Sequence, residues 1–285
     1  MMKKLLSIGA AVGLMAAAAF SQTLSLNLRG GVGFATGGDV ADGLRGIMDY
    51  YSAEYSSLTG KHAFPGLGLA AGGELLIHLS PRLALGLGSG YERHGRESIV
   101  TYEFDEADIS ETLHPVVRAI PVIASLHFSV PLKSKLKLDI HAGGGVYFAT
   151  LDWTSIYDVS ILGYSGTDEF SFQSSRMGFG AQAGLTLEWP ISSRLAVCLD
   201  VTGRWARVSG LEGDWTETGS GDLWNFSENG KSTLYYYDWT YGGATYPQIA
   251  IQADLPEGSA ISEARKARLD LTGLTATIGL KIRLF

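Results

Sequence analysis

A single cysteine, Cys198, excludes an intrachain disulfide framework in this chain of 285 residues. Charged residues are few, 18%, and prolines number only 8, which fits neither a charge-rich disordered chain nor a proline-rich one. After Phe20 no second long apolar run occurs, so a bundle of membrane-crossing helices is excluded. There is no basic surplus either: the formal net charge is −7, and no nucleic-acid partner is expected. What the chain has in quantity is glycine, 37 residues, which suits a twisted and tightly curved sheet.

Residues 1–21 have the build of a secretory signal peptide. Lys3 and Lys4 precede an apolar run from Leu5 to Phe20, and the small residues Ala19 and Ser21 lie before a cut ahead of Gln22. The run is shorter than the roughly 20 apolar residues a spanning helix needs. The expected mature unit is 22–285.

Along that unit, apolar residues alternate with polar residues or glycine in eight stretches, the signature of strands with one apolar and one polar face. They start near Leu24, Leu67, Leu83, Ile120, Leu136, Met177, Leu195 and Leu274. Three short turns end in a basic residue and Leu (Arg82-Leu83, Lys135-Leu136, Arg194-Leu195), a weak repeat whose unit is a hairpin with a long loop. The long connections run over about 37–64, 97–114, 152–174 and 210–267. They hold 23 of the 29 acidic residues and 5 of the 22 basic ones. Acidic loops standing in water keep one end of the molecule soluble.

In the last stretch, Thr277-x-Gly279-x-x-Ile282-x-Leu284 followed by Phe285 resembles the β-signal with which outer-membrane barrels end, although Phe285 falls in the polar phase. Together with the alternating strands, this pattern is similar to the outer membrane protein β-barrel domain family, which includes the OmpA transmembrane domain, OmpX and OmpW. The resemblance implies an all-β fold: an eight-stranded antiparallel up-and-down transmembrane β-barrel with long extracellular loops. It also implies the outer membrane of a Gram-negative-type bacterium, contact with outer-membrane lipid and with the barrel insertion machinery, no cofactor and no metal. The chain stops on the eighth strand, so no envelope-tethering domain is expected beyond it. The alternative is a soluble lipocalin-like barrel. Alternation alone leaves open which face points inward; strands of about 10 alternating residues, long enough to cross a bilayer when tilted, favour lipid outside.

On the membrane reading the polar face lines the lumen, as a network of Arg29, Glu74, His78, His127, Asp139, His141, Glu188, Asp200, Arg204, Lys281 and Arg283. Arg29 is expected to pair with Glu74, and the remaining acids with Lys137, Arg204, Lys281 or Arg283. Three of the histidines could take a transition metal, but no local ligand motif supports it. His94 lies between Glu92 and Arg96 without a nucleophile that can be placed beside it, so no catalytic residue is assigned. In the first loop, Val40, Leu44, Ile47, Met48, Tyr51 and Tyr55 are spaced for an amphipathic helix. The fourth is expected to hold another, opening at Pro256-Glu257. Its aromatics Trp215, Trp224, Trp239 and Tyr241 are candidate contacts for an extracellular ligand or partner; the alternatives are a small cap core, or strands six to eight extending as a hairpin above the membrane. Leu269 and Leu271 lie out of phase with Leu274 onward, and a bulge at Thr272-Gly273 is expected to let the strand change face. The reading is a non-enzymatic structural or surface-interaction barrel with a plugged polar lumen. Alternatives are a porin-like conduit for small or hydrophobic solutes and, by fold analogy only, an outer-membrane lipid-modifying enzyme.

Overall fold

The computed structural model describes residues 23–104, 107–132 and 135–284; the expected signal peptide and Phe285 lie outside them. In chain order the elements are β1 (Leu24–Gly38), α1 (Asp39–Glu54), β2 (Thr59–Gly60), β3 (Leu67–His78), β4 (Leu83–Gly95), β5 (Ser98–Phe104), β6 (Ala107–Pro131), β7 (Lys137–Ile161), β8 (Tyr164–Pro190), β9 (Leu195–Ser209), β10 (Glu212–Gly221), β11 (Asn225–Tyr241), β12 (Ala244–Gln252), β13 (Ile261–Lys266) and β14 (Arg268–Arg283). Each of the eight alternating stretches of the sequence forms a strand. Strands β1, β3, β4, β6, β7, β8, β9 and β14 pair antiparallel in that order, and β14 pairs back onto β1. The result is a closed ring of eight strands without a free edge among them.

The short turns lie at one end of the ring. Ser80 Oγ accepts hydrogen bonds from the backbone N–H groups of Arg82 and Leu83, at 3.3 and 3.1 Å. Ser192 Oγ does the same for Arg194 and Leu195, at 3.3 and 3.1 Å. The repeated Ser-x-Arg-Leu is therefore a repeated turn whose serine replaces a missing backbone partner.

At the opposite end the expected long loops are largely strand. β6, β7 and β8 continue past the ring for total lengths of 25, 25 and 27 residues, and β5 and β10 to β13 add to them. The β7–β8 and β11–β12 hairpins close tightly, with positive φ at Leu162 and Gly163 and at Gly242 and Gly243, the conformation of two-residue hairpin loops. The first-loop helix forms as α1, with Val40, Leu44 and Met48 buried. It packs on β12 so closely that a methyl group at Gly46 would overlap the Pro247 carbonyl, and one at Gly43 would overlap Ile249. The expected helix after Pro256 is absent: the segment holds β13, which pairs with β11 through Tyr236 opposite Arg265 and Asp238 opposite Ser262.

The pairing of β14 with β1 shifts by one residue between Ala35 and Gly37, opposite Leu271 and Thr272. The shift does not turn the strand over. Leu269, Leu271, Thr277 and Lys281 are all buried on one face of β14, while Leu274 and Ile278 are exposed on the other. What changes along β14 is the chemistry of the interior it faces.

Candidate functional site

The interior of the ring has two storeys. In the storey nearer the turns, β3, β6, β7, β8 and β9 present polar side chains where the period of two directs them inward. Glu74 Oε1 accepts a hydrogen bond from Ser125 Oγ at 2.5 Å and lies 3.1 Å from His127 Nε2. On its other side the His127 ring meets Asp139 Oδ1 through Nδ1 at 2.6 Å, and Ser129 Oγ donates to the second Asp139 oxygen at 2.8 Å. Both ring nitrogens of His127 thus face carboxylates, which suits a ring carrying hydrogen on both. His141 stacks on His127 at 5.2 Å and reaches Thr202 Oγ1 at 3.1 Å. Asp200 accepts from Thr186 and Thr202 at 2.7 and 2.8 Å. Glycines make the room: a methyl group at Gly86 would overlap Ser125 Oγ, and one at Gly184 would come within 2.7 Å of His141 Nε2 and Thr202 Oγ1.

Several expected pairs are rearranged. Arg29 does not bond Glu74; its Nη1 lies 3.6 Å from Asp200 Oδ1 on β9. Glu74 stands opposite Asn27, two residues nearer the turns, while Arg29 stands opposite Gly279 on β14, which has no side chain to block the reach to β9. Lys281 pairs with Glu188. Arg204 pairs with Glu92, a residue the sequence reading did not place in the network, and Glu92 in turn lies 3.5 Å from His94 Nε2. Glu92 and Ser125 were both detectable as inward positions of their strands. His78 bonds Ser25 at 3.0 Å near the turn end, and Arg283 reaches the Ser193 carbonyl at 3.3 Å at the mouth. Ligating atoms of His127, Asp139 and His141 lie within 4.8 Å of one another, but a metal ion there would have to break the 2.6 Å bond between the first two. A cavity of about 50 Å³ lined by Arg29, Glu74, Glu92, Gln182, Asp200 and Arg204 separates this network from the next storey, with space for a water or two.

The second storey is apolar. Val117, Tyr147, Leu151, Leu269 and Leu271 point in from the ring and Phe172 from the extension of β8, and Val40 and Leu44 of α1 and Leu234 of β11 come down onto them, all of them buried. The helix and the outer strands thus stopper the bore. The four aromatics singled out in the sequence are spread through this upper part. Trp215 stacks on Phe170 at 6.1 Å and packs against the apolar core, and Trp224 covers Gly166. Trp239 and Tyr241 pack on Tyr50 of α1 at 4.8 and 5.6 Å. They form parts of the cap rather than one continuous surface.

The outer face of the ring is the reverse of the inner one. Leu28, Leu69, Leu87, Phe128, Phe148, Leu185, Leu199 and Ile278 are exposed large apolar residues on its eight strands. The belt has a sharp upper edge: Arg93, Arg118, Thr150, Ser175 and Arg207 are the next outward positions on their strands, and Arg118 and Ser175 both stand opposite Thr150. On β8 it runs from Met177 to Trp189, thirteen residues and twelve steps along the strand, or roughly 30 Å for strands rising ~3.3 Å per residue and tilted by about 40°.

No family model matches the chain, and no curated protein does. Among solved structures, a major outer membrane protein from Thermus thermophilus superposes with a TM-score of 0.37 and 11% identity, over 92% of this chain and 99% of that one. So loose a likeness adds nothing to what the faces of the ring show.

Proposed function

We propose that this chain is an integral outer-membrane β-barrel protein of a Gram-negative-type cell, with a structural or surface-interaction role and a bore that does not conduct. The observation that carries the reading is the inversion of the ring. Its buried face holds Glu74, His127, Asp139, Glu188, Asp200 and Lys281, and its exposed face is a continuous apolar belt. A soluble barrel would bury the belt and hydrate the charges; an exposed apolar surface of this extent needs a non-aqueous partner. The height of the belt, close to the ~30 Å hydrocarbon core of a bilayer, supports lipid as that partner. No helix among the described residues is long and apolar enough to cross a membrane, so the crossing falls to strands. The cap end, which carries most of the acidic residues, faces the cell exterior, and the short turns face the periplasm.

The stopper beneath α1 supports the non-conducting reading, since ions would have to pass the buried side chains of Tyr147, Phe172, Leu269 and Leu44. Purified protein reconstituted into planar bilayers is expected to give no steady current, while the same preparation floats with lipid on a density gradient and resists extraction by carbonate. Steady unitary openings would favour the porin-like conduit instead. Loss of the protein from the lipid fraction would overturn the membrane assignment itself.

A further inference from the structure

Above the stopper, between α1 and the extended strands, lies a second cavity of about 360 Å³, within the usual size of small-molecule sites. Its walls are apolar on one side, with Ile47, Trp153, Phe170, Leu234, Ile249 and Ile251. The other side is polar and short of hydrogen bonds. His62 is buried, and its Nδ1 lies 3.0 Å from Ser98 Oγ, whose own hydrogen points to the Leu113 carbonyl at 3.4 Å. Ser98 therefore accepts from His62 Nδ1–H, and a ring with hydrogen on that nitrogen alone offers Nε2 as an acceptor. Nε2 faces Glu111 Oε2 at 3.4 Å, and neither atom makes a hydrogen bond. The other oxygen of the buried Glu111 is satisfied by Tyr157 OH at 2.7 Å. Two buried acceptors this close call for one donor that reaches both from the cavity.

The charge of the lining says which kind of donor. Glu111, Asp168 and Glu217 all line the cavity, Asp168 Oδ1 is likewise buried without a partner, and no Lys or Arg is present among the described lining residues. Trp153 and Tyr157 add aromatic surface suited to a cation. We propose that this cavity binds a small amphipathic molecule with an apolar or aromatic body and a protonated primary amine, the ammonium group bridging His62 Nε2 and Glu111 Oε2 from the cavity side. A primary ammonium carries three donors, enough for Nε2, Glu111 Oε2 and Asp168 Oδ1. The site is built from α1, the β2–β3 connection and the strand extensions, so it does not depend on whether the ring below crosses a membrane.

Equilibrium dialysis of the folded full chain in detergent micelles tests this, with phenethylamine, 2-phenylethanol and 3-phenylpropanoate as probes of one shape and three charges, and empty micelles as the blank. Phenethylamine is expected to bind at least about tenfold more tightly than the alcohol, with the carboxylate weakest. Glu111→Gln is expected to weaken the amine by about tenfold or more, as loss of a hydrogen bond to a charged group does, while leaving the alcohol unchanged. Gln173→Ala, outside the cavity, should change nothing. Should Glu111→Gln fail to fold, Glu217→Gln on the same wall is expected to lower amine affinity severalfold. Equal binding of amine and alcohol, preference for the carboxylate, or no amine binding by wild-type protein that retains its folded gel mobility would overturn the proposal.

Discussion

At the scale of single residues, the interior network is organised around His127, held between Asp139 at 2.6 Å and Glu74 at 3.1 Å. Removing one partner of such a buried group leaves the rest unpaired, at a cost of roughly 3–5 kcal/mol. Asp139→Ala should therefore lower unfolding free energy by about 3 kcal/mol in urea titrations of the reconstituted protein. A double-mutant cycle should show coupling between Arg29 and Asp200 and little between Arg29 and Glu74. That these residues share the inner face was legible from the period of two. Which would meet was not, because the reach of Arg29 to Asp200 depends on Gly279 being bare and on a register that the sequence does not display. Glu217 gives a prediction of a different kind. Burial, and then the nearby Asp168 carboxylate, raise its pKa above the ordinary value. A folded-state value above the unfolded one means that the contribution of Glu217 to stability is fully present below the unfolded pKa, roughly 4.3, and is lost as pH rises through the folded one. Glu217→Gln stays neutral throughout, so its melting temperature should exceed that of the wild type at pH 7 to 8, with the difference vanishing towards pH 4. A constant offset at all pH values would remove electrostatics as the cause.

At the scale of elements, α1 is the piece on which the stopper depends. It is held by burial of Val40 and Leu44 and by Asp39, which takes Arg265 at 2.8 Å and the Arg268 backbone N–H at 3.0 Å. The close approach at Gly46 admits no side chain, so Gly46→Leu should undock the helix from β12 without touching the ring. Limited proteolysis is expected to cut within residues 39–66 of the variant and not of the wild type, while the heat-dependent gel shift of the folded ring persists. Loss of that shift would show that cap and ring unfold together. The helix was readable because its apolar residues recur at helical spacing. The extensions of β7 and β8 were not: with water on their outer face, stretches such as Ser165 to Ser175 carry hydroxyls, amides and acids where the ring strands carry leucine, and they resemble loop. The missing helix after Pro256 shows tertiary contacts overriding local preference. Arg265 stacks over Tyr236 at 4.1 Å and its segment pairs with β11, which a helix there would forfeit.

At the scale of the whole molecule, everything turns on which side of the ring meets water, and charge placed on the outer face decides it. Leu185 is 50% exposed within the belt of β8, eight residues below Met177 and four above Trp189, with Leu199 and Val201 exposed on the neighbouring β9. For a barrel in water, Leu185→Arg replaces an exposed apolar side chain by a soluble one and should be neutral or stabilising. For a barrel in lipid, it places a guanidinium well inside the hydrocarbon, which costs about 2–4 kcal/mol near the midplane and falls towards zero at the interface. Gln173→Arg, on the same face of β8 but above the belt and bonded to Asp152 at 2.8 Å, puts the same charge in water and should cost little. Urea unfolding of both variants in phosphatidylcholine vesicles separates the cases. A penalty at Leu185 that is absent at Gln173 is the signature of an apolar solvent around the belt, and it also maps depth: Leu187→Arg, nearer Trp189, should cost less than Leu185→Arg. Equal and negligible effects at all three positions would mean that the apolar belt is covered by something other than a bilayer.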